Sequence, residues 1–502
     1  MTNPLFAETD EIIRGWARTE IGGWQLELSK DDAERRIRFA ALQDGSICVI
    51  RIDAGNVSLD PEITAAWPYL ANTATAMGYR AALYLEHLRT AFTTFGMTGS
   101  GLVGVYLNDI YPDTFDAPIF CFQKRRGSRG MLLPDVDFLS WKYYLDEQNR
   151  YVDRTSFFEK ADEAIFVGST TGDVVLTAAH VQSLSNARLR AAVHFRGQSR
   201  IIFHLPQIVQ CDGAETEALV RALDVAGRRW SWEEQLGFRY LLSLDGNGAT
   251  CSRVALGLAS NSALLKYESP YQLYYFQGLK PWKHYIPVLT DHDVELFLRY
   301  SPEWAASAAN VAASSSEFSA RFLSRLSVLR YTAEIMALYL EKFGEPRSLA
   351  DRGTFHLIDV FAHVADHGSV WGKPGEWLST GRGQTAIEGV SLMPAEQIAH
   401  QDLSYTVVDV DGALVTGNGG EFCGSYNANR PLHGFGATLS RASARRFSLA
   451  YQLRFADGYE SAPTEVGTPM IRQSPITDIR IALRERGSSP WWRFGLRTHL
   501  RE

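Results

Sequence analysis

An arginine set just behind a glycine turn is the pattern in this chain best suited to chemistry. Residues 240–244, Tyr-Leu-Leu-Ser-Leu, form an apolar β-type run that breaks into Asp245-Gly246-Asn247-Gly248 and leads past Ser252 and Arg253 into an apolar helical segment. Strand, glycine turn and helix in that order make a crevice for an anionic ligand. Gly246 and Gly248 would let the backbone approach, the helix start favours negative charge, and a guanidinium binds phosphate oxygens through paired charge-assisted hydrogen bonds. A nucleotide diphosphate suits such a crevice, with Arg253 gaining strength as charge builds on a departing diphosphate and Ser252 adding a hydroxyl donor. A second apolar run, 263–265, ends in Lys266 and Glu268, and a carboxylate there could accept ribose hydroxyls. A third run, 164–167, precedes the turn Gly168-Ser169-Thr170-Thr171, and Arg188 and Arg190 further on could supply more positive charge. Moving a group to an acceptor hydroxyl also needs a base, and Asp135 and Asp137 are the candidate carboxylates. The D-x-D spacing of Asp135 and Asp137, and of Asp409 and Asp411, is common by chance, whereas hard cations take several oxygen ligands. No metal and no cofactor are expected.

These groups need a scaffold of strands and helices. From residue 76 onward, helical spacing alternates with glycine-punctuated strand signals, which indicates α/β layers with mainly parallel sheets. Two α/β lobes with a cleft between them are the economical arrangement, over 76–200 and over 201–347, the latter with closing helices. Residues 1–75 read as an N-terminal extension. After about residue 348 glycine and alternating apolar residues dominate. There 386–392, 432–439 and 476–483 each close a glycine-rich unit, at a period of about 45 residues. This predicts an all-β, pseudo-threefold repeat domain over 350–490.

The chain of 502 residues, 45% hydrophobic and 12% aromatic, can fill several cores. A net charge of −7 offers no broad basic face for nucleic acid. Five scattered cysteines, Cys48, Cys121, Cys211, Cys251 and Cys423, show neither a disulfide framework nor zinc-ligand spacing. Glu8, Asp10 and Glu11 stand where a secretory signal would be basic and then apolar, and no run approaches the roughly 18–20 apolar residues of a membrane span. A cytoplasmic protein is expected, with peripheral contact at the inner membrane if the acceptor is lipid-linked.

Taken together, Tyr240-Leu-Leu-Ser-Leu-Asp-Gly246, Ser252-Arg253, Ser262-Ala-Leu-Leu-Lys266 and Leu279-Lys-Pro-Trp-Lys-His-Tyr-Ile-Pro287 resemble the family 90 glycosyltransferases, which include capsule-associated, lipopolysaccharide-modifying and protein O-glucosyltransferase enzymes. The resemblance covers about residues 75–345. It implies a two-lobed GT-B fold of two Rossmann-like lobes and metal-independent catalysis, with Arg253 on the diphosphate. The turn carrying Gly168, Ser169 and Thr171 resembles the family's F-x-G-S-x-T segment and would line the opposite side of the cleft. Val167 stands where family members often carry an arginine. The family aspartate expected beyond a Pro-Asp pair would fall at 141–144, where this chain has none, leaving Asp135 and Asp137. His284 and Tyr285 lie in the family's L-x-P-x-x-H-Y-x-P segment and read as turn-stabilising residues. Beyond residue 350, His363 to Trp371 followed by Ile387-Glu-Gly389 looks like the clostridial hydrophobic-tryptophan repeats, which implies a β-repeat form whose role is either structural packing or carbohydrate or surface binding.

The expectation is an inverting glycosyltransferase that moves xylose or glucose from a UDP-sugar to a hydroxyl of a bacterial surface glycan such as capsule or lipopolysaccharide. Its rival is a catalytically inactive glycan-binding or surface-interaction protein acting through the β-repeat domain.

Overall fold

The structure, a computed structural model, describes residues 4–486 apart from 25, 145–151, 173–174, 250, 348–357, 366–367, 373–374, 376, 379–384, 395–397, 427 and 466. The chain forms two compact units, one built mainly from residues 7–350 and one mainly from 351–502. The break expected at 348–350 lies outside the described residues, as do Asp366 and His367 of the first glycine-rich unit.

Among its described residues the larger unit holds two main sheets and one two-stranded ribbon. Strands β1 (Ile47–Asp53), β2 (Asn56–Leu59), β3 (Thr98–Tyr106), β4 (Ile119–Cys121) and β6 (Met131–Leu132) make the first, in the order β2-β1-β3-β4-β6. Here β3, β4 and β6 run parallel, whereas β1 is antiparallel to β2 and β3. The short strand β5 (Lys124–Arg125) lies apart from this path. The second sheet holds β7 (Ala161–Ser169), β8 (Ile201–Gln207), β9 (Phe238–Ser243), β10 (Ala263–Tyr267) and β12 (Ile286–Val288), all parallel, in the order β12-β10-β9-β7-β8. Between them in sequence, β11 (Tyr271–Gln272) pairs with β5, and β13 (Glu345–Arg347) returns to pair with β3.

Two sequence expectations differ from this pairing. Residues 1–75 supply β1 and β2 of the first sheet, because β1 is buried over Ile47–Ile50 and at Ile52 and pairs along its length with β3, beside helix Lys30–Gln43. The change from one sheet to the other falls between Leu132 and Ala161, ahead of the expected division at 200, since β7 aligns with β9 as well as β8. Strand signals alone carry no information on partners that lie far away in sequence.

Central strands of the second sheet are buried on both faces, as parallel strands covered by helices must be. All five residues of β10 are buried, and Phe166 of β7 stacks on Phe203 of β8 with ring centroids 4.3 Å apart. The chain steps from β7 outward to β8 and then back across to β9, so the strand order reverses between β7 and β9. In open α/β sheets ligands bind beyond the carboxyl ends of the strands at such a reversal.

In the smaller unit the described elements are antiparallel strands and two short 3-10 turns, His400–Asp402 and Ser443–Arg445. β14 (Ile358–Val364) pairs with β15 (Gly368–Gly372) and β16 (Ile387–Pro394). β17 (Leu403–Asp409) pairs with β18 (Leu414–Asn418), the short β19 (Cys423–Gly424) pairs with β16, and β20 (Leu432–Leu439) pairs with β17. β21 (Phe447–Phe455) pairs with β23 (Ile476–Glu485), and β22 (Met470–Ile471) with β20. The register of β14·β16, β17·β20 and β21·β23 shifts at His363/Val364, Val408/Asp409 and Arg454/Phe455 respectively.

Candidate functional site

At the carboxyl end of β7 the chain turns through Gly168, Ser169 and Thr171, and at the end of β9 through Asp245, Gly246, Asn247 and Gly248. Arg188 joins the two turns. It lies in the first turn of helix Ala187–Phe195, which Asn186 caps by accepting the Leu189 N–H at 3.0 Å. The guanidinium donates to Ser169 O (3.1 Å), Thr171 Oγ1 (2.6 Å), Asp245 O (3.0 Å) and Leu244 O (3.2 Å). A Cβ at Gly246 would overlap Thr171 Oγ1 and the Arg188 guanidinium, and one at Gly248 would overlap the end of the Gln123 side chain. Both glycines therefore make room for neighbouring side chains, a closer use of their small size than the sequence suggested.

Arg253 is in the first turn of helix Cys251–Ala259. Its guanidinium donates to Val167 O and to Gln235 Oε1 (3.2 Å) and lies over the rings of Phe166 (4.5 Å) and Trp232 (4.9 Å). Arg188 lies over the same Phe166 ring at 5.3 Å. Two guanidiniums are thus buried around one ring, and among the described residues neither has a carboxylate at ion-pair distance. Burial lowers Arg188 to about 10 against the pull of Asp245, and burial together with the charge of Arg188 lowers Arg253 to about 9. Both stay charged at neutral pH. Uncompensated buried charge of one sign favours an anion nearby.

The loops at the carboxyl ends of the first sheet meet these turns with the opposite charge. Asp109, past β3, accepts the Asn247 Nδ2–H at 3.1 Å and pairs with Arg80 at 2.9 Å. Gln123, past β4, donates to Asp109 O at 2.5 Å. Asp137, past β6, accepts the Ser252 N–H at 3.1 Å and the Ser252 hydroxyl, and so caps the helix that carries Arg253. Asp135 is fully buried and caps helix Val136–Ser140 through Oδ1, while Oδ2 has no partner. Burial, with the neighbouring charge of Asp137, raises Asp135 well above the usual carboxylate range. Asp137 is raised by burial despite its bonds to Ser252, with Arg80 lowering it and Asp109 raising it.

The structure therefore gathers Gly168, Ser169, Thr171, Arg188, Asp245 and Gly246 into one cluster and Asp135, Asp137, Ser252 and Gly248 into its counterpart. Arg253 adjoins the first cluster through Phe166 and Val167. Lys266 and Glu268 follow the end of β10. The Lys266 amine is buried, donates to Tyr267 O at 3.3 Å, and is lowered by burial against the pull of Asp245 and Glu268. Glu268 is half-exposed and pairs with Arg126 at 3.5 Å. Arg190 pairs with Asp291 at 3.1 Å. His284 accepts the Lys280 N–H at 3.1 Å and packs on Phe318, and burial with Lys283 and Lys280 lowers it to about 4. It is a neutral turn-stabilising residue. Sequence reasoning passed over Arg80, Asp109, Gln123 and Asn247. Asn247 sat inside the glycine turn it did single out, while Arg80 is one of several arginines on helix residues, with no local signal to mark it.

No group of three or more metal-ligating side chains occurs among the described residues, and no described helix is long and apolar enough to cross a membrane. Residues 107–344 match the model of Glycosyl transferase family 90. Protein O-glucosyltransferase 3 of Mus musculus is 39% identical over 51 residues, which span 10% of this chain and 10% of that protein. The family match supports a glycosyl-transfer function for a mixed α/β protein.

Proposed function

We propose that this protein transfers xylose or glucose from a UDP-sugar to a hydroxyl of a bacterial surface glycan, with inversion at the anomeric carbon and without a metal. The two α/β sheets act as the lobes of a GT-B enzyme, with the donor at the strand reversal between β7 and β9. The observation that carries this reading is the pair of buried guanidiniums, Arg188 and Arg253, around Phe166 with no carboxylate paired to either among the described residues. A diphosphate would neutralise them, aided by the hydroxyls of Ser169, Thr171 and Ser252. Lys266 adds charge from the end of β10, and Glu268, half-exposed just beyond it, would accept ribose hydroxyls.

Inverting displacement needs a base facing the anomeric carbon from the side opposite the leaving phosphate. Three carboxylates stand on the side facing the arginines. Asp135 is sealed from solvent and its Oδ1 holds the start of helix Val136–Ser140, so it serves as a helix cap. Asp137 is committed to Ser252 and orients the helix start. Asp109, whose side chain is 37% exposed, is the accessible carboxylate and the base. It takes the acceptor proton as the new glycosidic bond forms, and UDP leaves with the electron pair of the broken bond.

Titration of the full chain with UDP, followed by release of UDP from UDP-xylose and UDP-glucose, tests the reading. UDP binding weakened by Arg253→Ala and by Arg188→Ala is expected. Unchanged UDP affinity in both variants would remove the donor site from this crevice.

A further inference from the structure

One polar atom of the glycine turn has no protein partner among the described residues. Asn247 Oδ1 is buried and unpaired, although Nδ2 of the same amide donates to Asp109 Oδ2 at 3.1 Å. A carboxylate only accepts hydrogen bonds, so this contact orients the amide with nitrogen toward Asp109 and oxygen away from it. Asp109 is itself held from the other side. Arg80 pairs with Oδ1 at 2.9 Å, donates to Leu107 O at 2.5 Å, and lies over the Phe122 ring at 5.6 Å. Arg80, Asp109 and Asn247 thus form a chain of bonds that fixes where one carbonyl oxygen points. Buried acceptors in native proteins are satisfied by protein, ordered water or ligand.

The position of Asn247 indicates which ligand group would satisfy it. On one side Gly246 touches Arg188 and Thr171, the diphosphate side; on the other Gly248 touches Gln123, which bonds the backbone of Asp109, the base side. The sugar ring must lie between leaving phosphate and base, because its anomeric carbon is bonded to the one and attacked by the hydroxyl activated by the other. Sugar hydroxyls are the hydrogen-bond donors available in that space.

We propose that Asn247 Oδ1 accepts a hydroxyl of the transferred sugar and sets donor-sugar specificity, with Arg80 and Asp109 as the positioning residues that aim it. This rests on the UDP-sugar reading above. Arg80 lies outside the family-matched segment 107–344, so the family match alone does not assign it this role.

The test compares wild type with Asn247→Ala and Arg80→Lys in the full chain. UDP affinity is measured by calorimetry, and UDP release is measured from UDP-glucose, UDP-galactose and UDP-xylose. Asn247→Ala is expected to keep UDP affinity within about twofold, to lower kcat/KM for the preferred sugar by about tenfold, the loss of one hydrogen bond, and to narrow the preference among the three sugars. Lysine keeps the charge but lacks the planar fork that holds Leu107 O and Asp109 together. Arg80→Lys should therefore narrow the preference in the same direction with UDP affinity retained. A purely structural role would weaken UDP together with the sugars. The inference is overturned if Asn247→Ala preserves the sugar preference or weakens UDP as much as UDP-sugar. Wild type that fails to bind UDP would remove the proposed function and this inference with it, whereas wild-type UDP binding with an unaltered Asn247→Ala removes the inference alone.

Discussion

The two sides of the candidate site occupy equivalent places, the loops beyond the carboxyl ends of parallel strands, yet they are built in opposite ways. On the second sheet, positive charge is buried and locked. Arg188 spends its donors on four oxygens of two turns, and Arg253 is wedged between Phe166 and Trp232. On the first sheet, three carboxyl groups are graded in burial, from the sealed Asp135 through Asp137 to the part-exposed Asp109. A rigid cationic cradle suits a ligand group whose charge grows during the reaction, because it needs no reorganisation when that charge appears. A more accessible carboxylate suits a group that must meet a second substrate. The comparison teaches that burial, more than residue type, separates a cap from a candidate base.

Replacing the exposed end of that gradient is the severest challenge to it. Asp109→Asn should lower kcat by about 10²–10⁴-fold, the usual contribution of general base catalysis, with UDP affinity unchanged by calorimetry. A smaller loss than that of Asp137→Asn would transfer the role to Asp137. On the cationic side, Arg253→Ala and Arg188→Ala should each weaken UDP by about 10–100-fold, the range of a hydrogen bond to a charged group. Loss of kcat alone, with UDP bound as in wild type, would break the division of labour between the two sides.

A subtler effect belongs to Asp135. Because its folded-state value is raised, the folded protein holds this proton more tightly than the unfolded chain. The resulting contribution to stability is complete below about pH 4 and is lost as pH rises through the raised value. Asparagine caps a helix as well as aspartate and has no charge to bury. Asp135→Asn should therefore flatten the fall in stability above pH 4, match or exceed wild type in urea denaturation at neutral pH, and keep turnover within about fivefold. A loss of turnover by 10²-fold or more would make Asp135 catalytic. The smallest effect is expected at the half-exposed Glu268, where Glu268→Ala should weaken UDP about two- to fivefold, since an exposed ion pair already competes for the carboxylate.

Much of the cationic side was legible in the chain. The runs 164–167 and 240–244, their glycine turns and the arginines behind them are local patterns, and apolar runs followed by glycine fold into strand and turn for reasons contained within a few residues. The carboxylate side was less so. Asp135 and Asp137 were noticed as a pair, but nothing in their spacing distinguishes one that caps a short helix from one that reaches across to Ser252. Asp109 and Arg80, 29 residues apart in sequence, meet only because helix Ala76–Thr94 brings Arg80 against Leu107 O, just past the end of β3.

By itself the sequence determined where the strand runs 164–167 and 240–244 and their glycine turns lie, and that arginines follow them. Tertiary structure alone decided that the first 75 residues contribute strands to the first sheet, that β7 belongs with β9, that two arginines share one aromatic ring, and that three carboxylates differ in burial. The physical reason is range: backbone propensity and capping act over a few residues, whereas partner choice, desolvation and the orientation of an amide depend on groups brought together from distant parts of the chain.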